Sequence, residues 1–186
     1  MQQKIEENIG ILGEITAKFY NQSGLSNADR LFNMAVERLR GVIPQIMSFY
    51  KLGELVGADE HKNVICNAGF NAITRRMTGD MTYTGEITKA LLGTGSGSTT
   101  PARTQLFAEV YRNDMASGTD DQNIAYLTAY FTEAECNGTY TEFGNCIDGL
   151  ASANTGLLWS HITGLNWIKS NTIVLVVSQK YTLRSV

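Results

Sequence analysis

Short apolar segments separated by turn signals dominate the second half of the chain and limit its possible folds. Two of the turns are Asn137-Gly138, a strong hairpin signal, and Asp148-Gly149. No long helix alternates with these segments, which disfavours a parallel α/β sheet. The pattern therefore predicts a mainly β (α+β) fold, an antiparallel β-sandwich. The predicted strands cover residues 106–111, 124–131, 140–147, 157–162 and 172–183.

The first segment of the chain alternates between apolar and polar residues. Ile15 and Ala17 occupy odd-numbered positions, which would point to one face of a strand, while Glu14 and Thr16 occupy even-numbered positions. A period of two is typical of a strand that is buried on one face. We therefore predict a first strand that ends at the turn residues 21–24.

Residues 26–60 interrupt the strand pattern with helical spacing. Phe32, Val36 and Leu39 recur at intervals of three and four residues, which is typical of one face of a helix. Pro44 cannot continue a helix interior but suits the first turn of a second helix. We predict an inserted helical hairpin, or one kinked helix. This insertion either closes one end of the β core or forms a docking or oligomerisation surface.

The length of the chain fits a single domain. A chain of 186 residues can bury one substantial hydrophobic core. We therefore expect one domain over residues 1–186, made of the helical insertion and a β-sandwich core over residues 63–186.

Residues 173–177, Ile-Val-Leu-Val-Val, are apolar at both odd and even positions, so both faces of a strand here would be apolar. An antiparallel strand with one face in water would alternate. This segment is therefore either a central strand beneath a second layer or a strand whose outer face meets another subunit.

Charge and hydropathy argue against two classes of partner. The formal net charge is −3 and no run of Lys or Arg occurs, so we expect no nucleic-acid partner. The longest apolar run is too short to cross a membrane, and the N-terminal residues do not resemble a signal peptide. We therefore expect no membrane partner and synthesis in a cytoplasm.

The glycine-rich stretch 91–113, LLGTGSGSTTPARTQLFAEVYRN, raises the question of a phosphate site. A phosphate-binding loop needs a Lys-Ser/Thr pair and a helix after its glycines. Here the first cation is Arg103, which comes after Pro101, and a predicted strand follows. We therefore interpret the loop as a solvated connector, and we expect no cofactor.

Catalytic and metal-binding patterns are sparse. His61 and His161 are far apart in the sequence, and neither belongs to a metal-binding motif. Four glutamates on or near strands could supply paired carboxylates for glycoside cleavage, although such carboxylates usually face solvent. They are Glu109, Glu133, Glu135 and Glu142. We predict no catalytic residue, no metal site and no enzymatic activity.

The three cysteines, Cys66, Cys136 and Cys146, are an odd number and contain no C-x-x-C pair. A secreted disulfide scaffold usually has an even and denser set. Free buried thiols are therefore favoured over a Cys136–Cys146 disulfide, and a buried thiol is favoured over a nucleophile at Cys66.

Aromatic and charged side chains complete the candidate interface. Aromatic residues are enriched in interfaces, and an exposed Trp would also give a stacking platform for a sugar. A carbohydrate-binding β-sandwich module is therefore an alternative function. Glu109 and Arg112 are three apart on a predicted strand, so we expect them on opposite faces, each with a different partner. The candidate interface comprises Phe32, Val36, Leu39, Glu109, Arg112, Trp159 and Trp167.

Two phrases of the sequence resemble a family of bacteriophage proteins. The first contains Gly93, Thr94, Gly95, Thr104, Leu106, Glu109, Val110, Tyr111 and Arg112. The second contains Glu135, Gly138, Glu142, Phe143, Gly144, Asp148 and Gly149. They are similar to the attachment-type β domain of tail or collar fibres in tailed phages, and to related baseplate and head-surface proteins. The similarity covers about residues 63–165.

This resemblance implies a non-enzymatic virion building block that is often trimeric and binds other virion proteins. A tail, collar, baseplate or neck component is the first expectation, and a capsid-decoration or head-fibre protein is the alternative. Such a protein is made in the host cytoplasm and resides in the virion. An enzyme that cleaves glycans or peptides ranks lowest.

Overall fold

The computed structural model describes residues 9–185, and the expectations that concern residues 1–8 and 186 lie outside it. The helices of this part of the chain are α1 (Asn27–Arg40), a 3₁₀ helix (Pro44–Phe49) and α2 (Asn67–Met77). Its strands are β1 (Ile9–Asn21), β2 (Glu54–Ile65), β3 (Ile87–Gly93), β4 (Glu109–Asp114), β5 (Ser117–Asp121), β6 (Ile124–Phe131), β7 (Gly138–Ile147), β8 (Leu157–Lys169) and β9 (Ile173–Ser185).

The strands form one antiparallel sheet in the order β4-β3-β7-β8-β2-β1-β9-β6-β5. Strand β2 joins the two halves of this sheet, since it pairs with β1 as far as Asn63 and then with β8 through Val64 and Ile65. The sheet curls into a half-barrel, and its two halves face each other across the core. The prediction of a mainly β, antiparallel fold is therefore confirmed.

The main core lies between the two halves of the sheet. Ile15 and Ala17 of β1 belong to it from one half, and Leu92 of β3 and Phe143 of β7 belong to it from the other. All four side chains are almost completely buried. The alternation predicted for the first strand is confirmed, because the apolar parity of β1 faces this core.

Strand β9 lies between β1 and β6 and is covered on both faces. Leu175 belongs to the main core. Val174 and Val176, on the opposite face, pack against Val36 and Met47 of the helical segment, by which we mean α1 and the 3₁₀ helix. Of the two alternatives for this apolar run, the covered central strand is confirmed.

The helical segment is shorter than the predicted insertion of residues 26–60. Its last helical residue is Phe49, and residues 54–60 belong to β2. Helical spacing does not decide the structure there, because β1 offers a partner strand to β2 from Glu54 onward. Helix α2 lies within the predicted β core, where the spacing of Phe70, Ile73 and Met77 is that of one face of a helical turn and predicts such a turn.

Several strand boundaries also differ from the prediction. The strand predicted at residues 106–111 begins at Glu109 and continues to Asp114. Strands β3 and β5 lie where the sequence indicates no strand. Strand β5 carries no large apolar residue, and its place is set by its pairing with β6 at the edge of the sheet.

The Asn137-Gly138 turn does not form a hairpin. Strand β6 pairs with β5 and β9, whereas β7 pairs with β3 and β8, so the connection crosses from one half of the sheet to the other. The side-chain amide of Asn137 donates to the Glu133 backbone carbonyl at 3.1 Å. Gly138 begins β7 opposite Lys169. Long-range pairing therefore overrides the local turn signal.

We predict that Leu175→Ala lowers the free energy of unfolding by about 3 kcal/mol, because it removes a buried side chain from the central strand. Leu183→Ala is the matched control, since Leu183 lies on the same strand and is exposed. It should cost less than about 1 kcal/mol. Urea unfolding measures both, and equal losses would contradict the placement of β9.

Candidate functional site

The seven residues predicted to form an interface do not share one surface. Phe32 and Leu39 are exposed on α1. The side chains of the other five are buried, and they are Val36, Glu109, Arg112, Trp159 and Trp167. The prediction is therefore wrong for these five, and the two residues on α1 remain candidates for contact with another molecule.

Local sequence signals begin and end helix α1. The Ser26 hydroxyl accepts a hydrogen bond from the Asp29 N–H at 3.2 Å, and Asp29 places negative charge in the first turn. Arg38 and Arg40 lie in the last turn, where positive charge is favourable, and Gly41 follows as the C-cap.

The inner face of α1 is attached to the rest of the protein mainly through polar contacts. The buried Asn33 side chain donates to the Lys51 carbonyl at 2.9 Å and accepts from the Lys51 N–H at 2.8 Å. Arg40 forms an ion pair with Glu135 at 3.1 Å. Val36 is the buried apolar residue of this face. Helix α1 is therefore oriented by hydrogen bonds and one apolar contact.

The Tyr50 hydroxyl joins two carboxylates beneath the helical segment. Its oxygen lies 2.6 Å from Glu133 Oε2 and 3.0 Å from Glu37 Oε1. Burial and the hydrogen bond to Glu133 raise the pKa of Tyr50, so the hydroxyl keeps its proton and donates it. Burial also raises the pKa of Glu37. These contacts fix the helical segment against the loop that follows β6.

The opposite face of α1 and the residues after it expose large apolar side chains. They are between 44% and 80% exposed, and they are Leu31, Phe32, Met34, Leu39, Val42, Ile43 and Phe49. We call this set the apolar surface. Arg38 adds one charge to the same side of the helix, because it lies four residues after Met34 and seven after Leu31.

The apolar surface has the area of a protein interface. Its exposed fractions together equal about four whole side chains, which at about 200 Å² each gives roughly 800 Å². The largest apolar patch on a typical monomer is about 300–600 Å². A specific interface takes about 800 Å² from each partner. The area therefore favours a contact with another protein surface.

Glu109 and Arg112 bind each other, contrary to the prediction that they lie on opposite faces of the strand. Arg112 Nε lies 2.5 Å from Glu109 Oε1, and Nη2 lies 2.8 Å from Oε2. The cause is a bulge, since Leu92 pairs with Tyr111 but Gly93 pairs with Glu109. Val110 is the extra residue of β4 at this bulge, and it reverses the alternation of side chains between the two faces of the strand. Glu109 and Arg112 therefore lie on the same face.

This ion pair also holds the loop between β7 and β8. Arg112 Nη1 donates to the Leu150 carbonyl at 2.8 Å and to Thr155 Oγ1 at 2.8 Å. The Asn154 N–H donates to Glu109 Oε2 at 3.1 Å. The two charged side chains are only 2% and 6% exposed. They stabilise the fold through charge-assisted bonds and do not face an outside partner.

The glycine-rich loop after β3 is exposed along much of its length but is not a free connector. Glu142 of β7 accepts hydrogen bonds from the N–H groups of Gly95 at 3.0 Å, Phe107 at 2.8 Å and Ala108 at 2.7 Å. A Cβ at Gly93 or Gly95 would clash with the Glu142 carboxylate. The glycines are therefore required by the close approach of this carboxylate.

His161 provides the fourth hydrogen bond to Glu142, with Nε2 at 3.1 Å from Oε2, and both side chains are fully buried. Because the carboxylate can only accept, Nε2 carries the proton. Burial acts to raise the pKa of Glu142. The hydrogen bonds from His161 and from the three backbone N–H groups outweigh burial and hold this pKa below its ordinary value.

Neither tryptophan provides the sugar-stacking platform that the sequence suggested. Trp167 is buried, and its Nε1–H donates to Asp59 Oδ2 at 2.9 Å. Trp159 is also buried and packs edge-on against Tyr181. The open outer face of the sheet carries a groove of about 490 Å³ whose lining includes Glu14 and Lys180. Most of the residues that line the groove have polar or charged side chains, and neither tryptophan is among them.

The cysteines are free thiols, and the described residues contain no Cys136–Cys146 disulfide. Burial raises the pKa of Cys66 and of Cys136 to about 12 and that of Cys146 to about 11. All three therefore stay protonated at neutral pH, which disfavours a nucleophile at Cys66.

The four glutamates considered for glycoside cleavage are engaged in contacts within the protein. Glu109 binds Arg112, and Glu142 binds His161. Glu133 accepts a hydrogen bond from Tyr50, and Glu135 forms an ion pair with Arg40. Carboxylates for glycoside cleavage must flank a substrate in an open site. The internal partners therefore disfavour this role for all four.

We predict that Glu142→Gln lowers the free energy of unfolding by about 3 kcal/mol at neutral pH, because an amide cannot replace the carboxylate toward four donors. The pKa of Glu142 is lower in the folded than in the unfolded protein. Its contribution is therefore complete above the unfolded pKa of about 4.3 and is lost as the pH falls through the folded value.

Urea unfolding at several pH values tests this prediction. The natural protein should lose stability in acid, and Glu142→Gln should show a flatter dependence below about pH 5. Glu14→Gln is the control, because Glu14 forms an exposed ion pair with Lys180. A parallel acid dependence in Glu142→Gln and the natural protein would contradict the role of this carboxylate.

We predict that Arg112→Ala costs about 3 kcal/mol or more, because it leaves the buried Glu109 carboxylate without its cation. Arg75→Ala, which breaks an exposed ion pair with Asp80, should cost less than about 1 kcal/mol. Thermal unfolding compares the two variants. A melting temperature for Arg112→Ala that falls no further than that of Arg75→Ala would show that the buried pair is unimportant.

Three findings complete the description of possible function. Over residues 9–185, no helix is both long and apolar enough to span a membrane. Within the same range, His, Cys, Asp and Glu side chains do not gather in groups of three or more that could hold a metal ion. No protein-family model, curated protein or solved structure matches the chain.

Proposed function

We propose that this protein is a non-enzymatic structural subunit of a bacteriophage virion that assembles through protein–protein contacts. The observation that carries the proposal is the apolar surface on the helical segment, whose area of roughly 800 Å² is that of one side of a specific interface. The resemblance of two sequence phrases to phage attachment-type β domains supports the virion as the setting.

The organisation of the protein suits such a role. Buried charges hold the loops against the sheet: Glu142 fixes the glycine-rich loop, and Arg112 fixes the loop between β7 and β8. A body that is tied together in this way loses little conformational entropy when it binds. It presents the apolar surface on a firmly anchored helix, which is favourable for repeated, identical contacts in an assembly.

Within the virion, a tail, collar, baseplate or neck position is the first proposal, and a capsid-decoration or head-fibre protein is the alternative. Both rest on the resemblance. It also favours a homo-oligomer, with a trimer as the common state in such proteins. The partners are other virion proteins, reached after synthesis in the host cytoplasm.

Mass spectrometry of phage particles tests this proposal. Particles would be purified by density from a lysate of the strain whose phage encodes the chain. We expect its peptides to be enriched in the particle band in a constant ratio to the major capsid protein. An abundant cytoplasmic host protein, measured in the same fractions, shows how much lysate protein contaminates the particle band. If the chain is present in the lysate but follows the host protein out of the particle band, the virion role is wrong.

A further inference from the structure

One face of α1 has a near-symmetrical order of side chains. The outer stripe consists of the exposed residues Ala28, Leu31, Phe32, Ala35, Arg38 and Leu39. Their spacing of three and four residues places them on one side of the helix. Counted from Ala35, Phe32 and Arg38 are three residues away in either direction, and Leu31 and Leu39 are four away. Leu31 and Leu39 are thus alike on both sides of the centre, whereas Phe32 on one side corresponds to Arg38 on the other.

This order fits a second copy of the same helix that runs in the opposite direction. A two-fold axis at Ala35 puts Leu31 of each copy level with Leu39 of the other. It puts Phe32 of each copy level with Arg38 of the other. The small side chain of Ala35 lies at the centre, where it lets the two helix axes approach closely. Each large apolar side chain of the stripe then has a partner at its own level.

The position of Arg38 selects the antiparallel direction. In a parallel pair the two guanidinium groups would lie side by side and repel each other. In an antiparallel pair centred on Ala35 they are separated by about 9 Å along the helix axes, at about 1.5 Å per residue. Each is then level with Phe32 of the other copy. Lys51 of the same chain already lies 5.6 Å from the centroid of that ring, so the separation of the two guanidinium groups, and not a new cation–π contact, selects the direction.

The surrounding surface is large enough to support this contact. Met34 is exposed on the same helix, and Val42, Ile43 and Phe49 are exposed after it. The apolar surface as a whole has the roughly 800 Å² that a stable interface takes from each partner. Polar residues hold the inner face of α1 to the protein, so the stripe is free to face a second molecule without rearrangement of the helix.

We propose that two copies of this chain pair through the outer stripes of their α1 helices, antiparallel and around a two-fold axis at Ala35. This inference rests on the proposed assembly role and names the first partner in it, a second copy of the same chain. It puts a two-fold pair in place of the trimer that the resemblance favours.

Analytical ultracentrifugation of the full chain over a concentration series tests the pairing. We expect a species of twice the chain mass, and we expect Leu31→Glu to raise its dissociation constant by about 30-fold or more. Met77→Glu is the matched control, because Met77 is an exposed apolar residue outside the stripe, at the end of α2. It should leave the dissociation constant unchanged. Circular dichroism should show unchanged folding in both variants.

Crosslinking through one introduced cysteine tests the direction of the helices. Ala35→Cys places the new thiols at the two-fold axis, so mild oxidation should give a disulfide-linked dimer. Ala28→Cys places them about 21 Å apart along the axes in the antiparallel pair, and it should not crosslink. The natural chain, whose three thiols are buried or half-buried, is the blank for the oxidation.

The outcomes separate this inference from the proposed function. A monomer at every concentration, a trimer, or crosslinking through Ala28→Cys would overturn the antiparallel pairing. A monomeric chain that is still enriched in phage particles would leave the virion role standing. A dimer that is absent from particles would support the pairing and overturn the virion role.

Discussion

Strand β9 has apolar side chains on both of its faces, and this constraint organises the rest of the molecule. A strand in the middle of a sheet can bury both faces only if a second layer covers each of them. The facing half of the sheet covers Leu175, and the helical segment covers Val174 and Val176. The helical segment is therefore a necessary layer of the fold, because its removal would expose the outer face of the central strand to water.

The way in which this layer is attached explains its unusual outer face. A surface helix normally turns its apolar stripe toward the core and its polar residues toward solvent. Helix α1 does the reverse over most of its length, since Asn33 and Arg40 bind the body of the protein while Leu31 and Leu39 face outward. The apolar cluster on this face of β9 takes Val36 from α1, and it takes Ile46, Met47 and Tyr50 from the 3₁₀ helix and the residue after it. The anchoring of α1 thus leaves its apolar side chains available for contact with another molecule.

Local patterns in the sequence predict β1, whose apolar side chains lie on one face, and β9, which is buried on both, because such patterns are a property of a few consecutive residues. They do not predict β3, although Ala90, Leu91 and Leu92 are buried there. Strand β5 carries no apolar pattern and is defined by its partner, so the sequence cannot predict it. The helix itself follows from the spacing of Phe32, Val36 and Leu39, but spacing does not show which of them the sheet covers. The contact between Glu109 and Arg112 depends on a bulge, and a bulge is set by pairing between strands that are distant in the sequence.

The pairing of β1 with β9 has a consequence for the synthesis of the protein. Gly13 lies opposite Tyr181, so β1 takes one of its two neighbours from a strand that is made 168 residues later. At roughly 5–20 residues per second, a ribosome needs on the order of ten seconds or more to make the chain between them. During that interval Ile15 and Ala17 have no complete core to enter. The nascent protein must therefore keep an apolar strand soluble, alone or with the help of a chaperone, until β9 has been made.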